Sequence, residues 1–126
     1  GGRRQVVCGS RAEPLPRLHP QRIRPRMSIE WSRQSRMDLR AIFDFIARGS
    51  EHYARLQVRR IIERVEYVAR MPMVGHPVHE FPELGLRETH QENFRIIYHL
   101  DDEMLQVVTI VHMKQRLRRK RLTRGD

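Results

Sequence analysis

The stretch NFRIIYHLDDEMLQVVTIVHMKQRLRRKR, residues 93–121, changes character partway along. Two apolar runs, Phe94–Leu100 and Met104–His112, flank the polar link Asp101-Asp102-Glu103, and a nearly unbroken run of Lys and Arg follows them. Ile, Val, Thr, Phe and Tyr suit a pleated surface, and a short acidic link suits a tight reversal, so the two runs read as an antiparallel hairpin. In the second run both alternating sets, Leu105/Val107/Thr109/Val111 and Val108/Ile110, are largely apolar. A strand apolar on both sides is a central strand covered on both faces, so the hairpin predicts a sheet with material above and below it.

Upstream of the hairpin, residues 86–90 read as a third strand, and Ser28–Trp31 as a first, short one. Between them lie two helical patterns. Ser35 and Asp38, three apart, form a capping-box-like start. Leu39, Ile42, Phe43 and Ile46 then recur on one face, and Gly49 stops the helix. Ser50 is a good N-cap for the next helix, with Glu51 at the positive dipole end; Ala54, Val58, Ile61, Ile62, Val65, Val68 and Ala69 form its stripe, and Pro72 bounds it. So short a gap implies an antiparallel helical hairpin. Pro72, Gly75, Pro77 and Pro82 make residues 71–85 a loop. The order strand, helix, helix and three strands predicts an α+β fold, the helical hairpin packed on a small, mainly antiparallel sheet.

The 126 residues suffice for one compact domain. No window approaches the roughly 20 apolar residues of a membrane span, so a soluble protein with no membrane partner is expected. The single cysteine, Cys8, excludes an internal disulfide and points to a reducing cytoplasm. The formal charge of +10 is unevenly placed: residues 1–26 carry seven Arg against Glu13, residues 114–126 carry seven Lys or Arg against Asp126, and residues 27–113 carry eleven basic and thirteen acidic residues. The excess lies in the two ends, and the body is slightly acidic. Residues 1–26, with Pro14, Pro16, Pro20 and Pro25, are expected to be disordered and not native, with Met27 the natural start. The domain is expected over 27–120, with 121–126 a basic tail.

The chain has no phosphate loop, HExxH, GxSxG or CxxC, and no cofactor is expected. His76 and His79 sit in the proline-rich loop without an evident third ligand, so no metal site is expected; Glu80 and Glu83 are likewise two acids with no mark of a shared site. The strands carry more chemistry. Metal-free cleavage of RNA needs a base for the 2′-hydroxyl, an acid for the leaving oxygen and cations for the phosphate. Arg87, Arg95, Tyr98, His112 and Lys114 would supply them if they converge. Set against this, His99 and His112 read equally as partly solvated strand residues, and Arg87 as the partner of Glu88 or Glu92. Arg95, Lys114, Arg116, Arg118 and Arg119 are candidate contacts to a target or protein partner. No aromatic residue interleaves the basic run, so base stacking finds no support there.

Taken together, IEWSRQSRMDLRAIFDFIA (29–47), ARMPMVGHPV (69–78), LRE (86–88) and NFRIIYHLDDEMLQVVTIVHMKQ (93–115) resemble the RelE/ParE superfamily of type II toxin-antitoxin toxins. The resemblance implies the α+β fold above and a bacterial cytoplasmic toxin of the plasmid-stabilisation type that arrests growth. It also implies a cognate antitoxin, through which alone the pair would bind operator DNA. ParE-like members inhibit DNA gyrase without being enzymes; RelE-like members enter the ribosome and cut mRNA. The slightly acidic body, the lack of a tyrosine after His112, the LRE to NFRIIY spacing and the V-H ending resemble the ParE side more. The set Arg87, Arg95, His112 and Lys114 keeps the endonuclease alternative open, and an inactive binding protein on the same fold is a further one. Phe94, where the family often has tyrosine, and the ending His112-Met113-Lys114-Gln115-Arg116 depart from the family pattern.

Overall fold

The computed structural model describes residues 27–122; the expected disordered segment 1–26 and the last four residues of the tail lie outside the described residues. Five strands form one sheet in the order β1-β5-β4-β3-β2, with β1 (Ser28–Trp31) parallel to β5 (Met104–His112) and every other pair antiparallel. The α+β arrangement, the central position of β5 and the bounds of β1, β4 (Phe94–Leu100) and β5 are those the sequence predicts. Asp101 closes the β4–β5 hairpin by accepting from the backbone N–H of Glu103 at 3.0 Å and of Met104 at 2.8 Å. Those two bonds hold its carboxyl below the usual carboxylate range.

Helices α1 (Arg33–Ala47) and α2 (Glu51–Arg70) pack as a hairpin over one face of the sheet. Ser50 caps α2 as expected, its hydroxyl accepting from Tyr53 N at 3.0 Å. The start of α1 differs: the cap is Ser32, which accepts from Ser35 N at 3.0 Å and donates to the Val108 carbonyl at 2.7 Å. Ser35 lies inside the first turn, and its hydroxyl donates back to the Ser32 carbonyl. Asp38 is no cap either; it turns toward the sheet. On α2, Gln57 is buried with the predicted stripe, while Val58 and Ile62 are only half-buried.

The connection after α2 is more structured than a loop. Short 3-10 turns at Pro72–Val74 and Pro82–Leu84 bracket β2 (His76–Pro77), which pairs with β3 (Arg87–Gln91). Proline is tolerated there because β2 is the sheet edge, where one side of the strand needs no donor. β3 begins one residue later than the sequence predicts.

Along β4 and β5 the register passes from Ile97↔Thr109 to Tyr98↔Val107, so Val108 is an extra, bulged residue. The bulge mixes the two predicted sets past Val108. Leu105, Val107 and Ile110 join Ile61, Val65, Val68, Ile96 and Tyr98 beneath the helices, whereas Val108 and Val111 join Ile97 on the far face. Among the described residues no α-helix covers that far face. It is sealed by Val78, Phe81 and Leu84 from the connection, by Leu86, and by Leu117 and Leu122 from the basic C-terminal segment. That segment is therefore packed into the fold as far as Leu122, and the predicted boundary at 120/121 falls within its final turn, Arg119–Leu122.

Candidate functional site

The five candidate catalytic side chains do not converge. In β4 alternate residues face opposite sides of the sheet: Tyr98 points under the helices, and Arg95 points to the far face. Arg95 is gripped there by two carboxylates, Glu80 through Nη1 at 2.8 Å and Nη2 at 3.0 Å, and Glu88 through Nε at 2.6 Å and Nη2 at 3.0 Å. The bonds to Glu80, then those to Glu88, hold its guanidinium above its already high range, and the same contact holds the Glu80 carboxyl below the usual one. A guanidinium bound by two carboxylates is a poor clamp for phosphate.

Arg87 stands across from Tyr98 on the helix side and donates to the backbone carbonyls of Gly75 and Met73. Neither predicted acidic partner holds it. Glu88 faces the other way, and Glu92 accepts from Arg60 Nη1 and Gln57 Nε2, each at 2.8 Å. Arg87 thus fastens the proline-glycine step to β3. Tyr98 is 1% exposed, its hydroxyl finds no well-aligned hydrogen-bond partner among the described residues, and burial pushes the phenol up, with the Arg87 guanidinium beside it opposing in part. A phenol shut in the core and disfavoured as phenolate cannot serve as a base. His112 lies at the far end of β5, opposite Phe94, with the rings edge-on at 5.6 Å. Its Nδ1 accepts from Lys114 N at 3.1 Å. Phe94 and Tyr98 are four residues apart on β4, so His112 and the Arg87–Tyr98 pair are separated by roughly 13 Å of strand.

His112 instead lines a groove of about 450 Å³ between the helical hairpin and the sheet. Ile42, Phe45 and Ile46 of α1, Tyr53 of α2, and Phe94 and Ile110 of the sheet make it apolar; Glu92, Gln115 and Arg121 give it polar edges. The buried residues of α1 are Ser35 and Asp38, and its apolar stripe is only half-buried, with Phe45 66% exposed. Among the described residues this apolar face is left open to solvent, an exposed apolar patch of the kind that marks an interaction site. The stripe itself was readable, but the groove was not. The signal for it is the line Ser32, Ser35, Asp38, polar residues three apart where a fully covered helix would carry apolar ones.

Asp38 explains why α1 sits this way. Beyond the end of β1 no described strand pairs with the edge of β5, and Asp38 Oδ2 accepts there from Ile110 N at 3.0 Å and Thr109 Oγ1 at 2.6 Å. Its Oδ1 takes Gln34 Nε2 at 2.8 Å and Arg121 Nη1 at 2.9 Å. One carboxylate so ties α1, β5 and the C-terminal turn. The basic run is divided by these contacts. Arg121 binds Asp38, and Arg119 binds Glu83 while lying 5.0 Å over the Phe81 ring. Lys114, Arg116 and Arg118 are exposed, and none of them enters an ion pair among the described residues.

The structure is similar to that of the chromosomal ParDE toxin-antitoxin system from P. aeruginosa, with a TM-score of 0.61, 24% identity, and coverage of 70% of this chain and 97% of that one. It is also similar to the toxin-antitoxin complex RelBE2 from Mycobacterium tuberculosis, with a TM-score of 0.52, 20% identity, and coverage of 69% and 91%. Curated proteins gave no match. Residues 29–117 match the family described as the ParE toxin of the type II toxin-antitoxin system, parDE. That match spans both helices and, but for Ser28, all five strands, and the chain belongs to this family of ParE toxins.

Proposed function

We propose that this toxin arrests growth by inhibiting DNA gyrase, without cutting RNA, and that a cognate antitoxin neutralises it by filling the open groove. The observation that carries the non-nucleolytic reading is the dispersal of Arg87, Arg95, Tyr98 and His112. Arg95 is on the opposite face, bound by Glu80 and Glu88, and Tyr98 is sealed in the core. General acid-base chemistry needs its groups within hydrogen-bond reach of one substrate, which this arrangement does not offer. Membership of the ParE family favours the same reading.

The antitoxin segment that fits is an amphipathic helix with an acidic flank. Its apolar side would cover Ile42, Phe45, Tyr53 and Phe94, and its acids would meet Lys114, Arg116 and Arg118 beyond the His112 end of the groove. Operator DNA is contacted by the antitoxin and not by this chain. Action in the bacterial cytoplasm fits these partners, and no described helix is long and apolar enough to cross a membrane.

The test is induction of the chain without its antitoxin while DNA and protein synthesis are followed separately. DNA synthesis is expected to stop first, cells to filament, and purified chain to inhibit gyrase supercoiling. An immediate translation arrest with mRNA cut in the ribosomal A site would overturn the proposal. So would harmless expression of a folded chain.

A further inference from the structure

At the edge of the sheet farthest from the groove, three side chains that the function above does not use are placed as metal ligands. His76 on β2 is the register partner of Glu88 on β3, and His90 stands two residues beyond Glu88, so all three project from the far face. His90 Nε2 is 3.2 Å from Glu88 Oε1, and His76 Nδ1 is 4.0 Å from Glu88 Oε2. The two imidazoles meet edge-on at 5.3 Å, and one ligand atom from each of the three residues lies within 4.8 Å of the others. Glu88 is 3% exposed, while both imidazoles reach solvent. A buried carboxylate between two accessible imidazoles is a preformed anchor with two adjustable arms.

We propose that His76, Glu88 and His90 bind a divalent cation of the zinc class. Two imidazole nitrogens and one carboxylate oxygen select zinc and its borderline neighbours over magnesium or calcium, which prefer all-oxygen shells. Bonds of 2.0–2.2 Å place tetrahedral ligands about 3.4 Å apart, so the exposed imidazoles need to close by roughly 1 Å. Arg95 does not block the site. It holds both Glu88 oxygens from one side, each of which keeps a second lone pair, and its bond to Glu80 brings in another negative charge. Glu80, Glu88 and Arg95 together carry −1, which favours a cation, and Arg95 fixes the orientation of the ligand carboxylate. The sequence pair His76 and His79 lacked a third ligand because Glu88 and His90 arrive only through strand pairing. The ring of His79 lies 6.3 Å from that of His76. β2 is two residues long, so an ion joining it to β3 would fasten the 71–85 connection where the backbone pairing is weakest.

The test is titration of zinc chloride into the untagged, metal-free full chain, by calorimetry and by thermal unfolding. One ion per chain is expected, with a rise in melting temperature on the order of 5 °C at excess zinc. Magnesium is expected to give neither. His76→Asn and His90→Asn are each expected to weaken binding at least about tenfold, and the double variant to abolish it, with the metal-free melting temperature nearly unchanged because both side chains are exposed and Arg95 still holds the Glu88 carboxylate. If the double variant does not fold, either single variant gives the same reading. Absence of binding tighter than about 10 μM would overturn the proposal. So would binding that survives loss of both histidines.

Discussion

Removing the Asp38 carboxylate should destabilise the toxin by about 3 kcal/mol. Four donors end on this group, which is 8% exposed: Gln34 Nε2, Thr109 Oγ1, Ile110 N and Arg121 Nη1. In Asp38→Ala the Ile110 N–H loses its acceptor, at roughly 1–3 kcal/mol for an unsatisfied buried donor. Breaking a fully buried ion pair from one side costs about 3–5 kcal/mol. Arg121 is 26% exposed and can rehydrate, so its share falls well below that range. Thr109 can turn its hydroxyl elsewhere. The sum is near 3 kcal/mol, and Asp38→Asn should lose most of it, because an amide nitrogen cannot accept.

Arg121→Ala is a milder change, about 1 kcal/mol, since three donors still compensate the carboxylate. If the two side chains act as one unit, the double variant should be less destabilised than the two single losses added, by about 1 kcal/mol. Urea unfolding followed by circular dichroism measures all four chains. The midpoint of Asp38→Ala should fall by roughly 2 M with an unchanged slope. A loss below about 1 kcal/mol for Asp38→Ala, or strict additivity with Arg121→Ala, would refute the assignment of Asp38 as the tie between α1, β5 and the C-terminal turn.

Three other perturbations read separate parts of the molecule. A Cβ at Gly75 would collide with the Tyr98 hydroxyl and the Glu88 carbonyl, so Gly75→Ala should cost about 1–3 kcal/mol in urea unfolding, and Tyr98→Phe in that background should recover part of it. Glu80 has its pKa lowered by Arg95, so its contribution is present above the ordinary carboxylate pKa and is lost as the pH falls through the depressed value. Wild type should therefore exceed Glu80→Gln in stability at pH 7, and the gap should close in acid, as thermal melts across that range would show. Phe45→Glu should leave the melting temperature nearly unchanged, because the ring is largely exposed, yet weaken antitoxin capture at least about tenfold in calorimetry.

The elements that were legible in the sequence are those whose own residues determine them. β4 and β5 were readable to the residue because a strong apolar pattern is cut by an Asp that caps its own turn. α2 was readable because Ser50 and Pro72 mark its two ends. What escaped depends on partners distant in the chain. Ser32 is preferred to Ser35 as the cap of α1 because its hydroxyl also reaches the Val108 carbonyl, 76 residues away. The two alternating sets of β5 are mixed past Val108 because a bulge changes the alternation without altering composition. β2 was hidden by its proline, which signals a loop everywhere except at a sheet edge.

The charge pattern shows the same limit at the level of the site. Splitting the net charge correctly located the excess at the ends, but a count cannot distinguish a cation that binds a partner from one that closes the fold. Arg119 and Arg121 differ from Arg116 and Arg118 only in where Leu117 and Leu122 place them. Once those two leucines pack under the sheet, Arg119 is carried to Glu83 and Phe81, and Arg121 to Asp38. Arg116 and Arg118, flanking Leu117, are left in solvent. Apolar residues buried within a basic run therefore decide which of its charges remain for a partner. Arg95 shows the converse. Its strand position fitted both a catalytic and a partner-binding role, and only the sheet pairing that brings Glu88 beside it, with Glu80 across the connection, makes it an internal anchor.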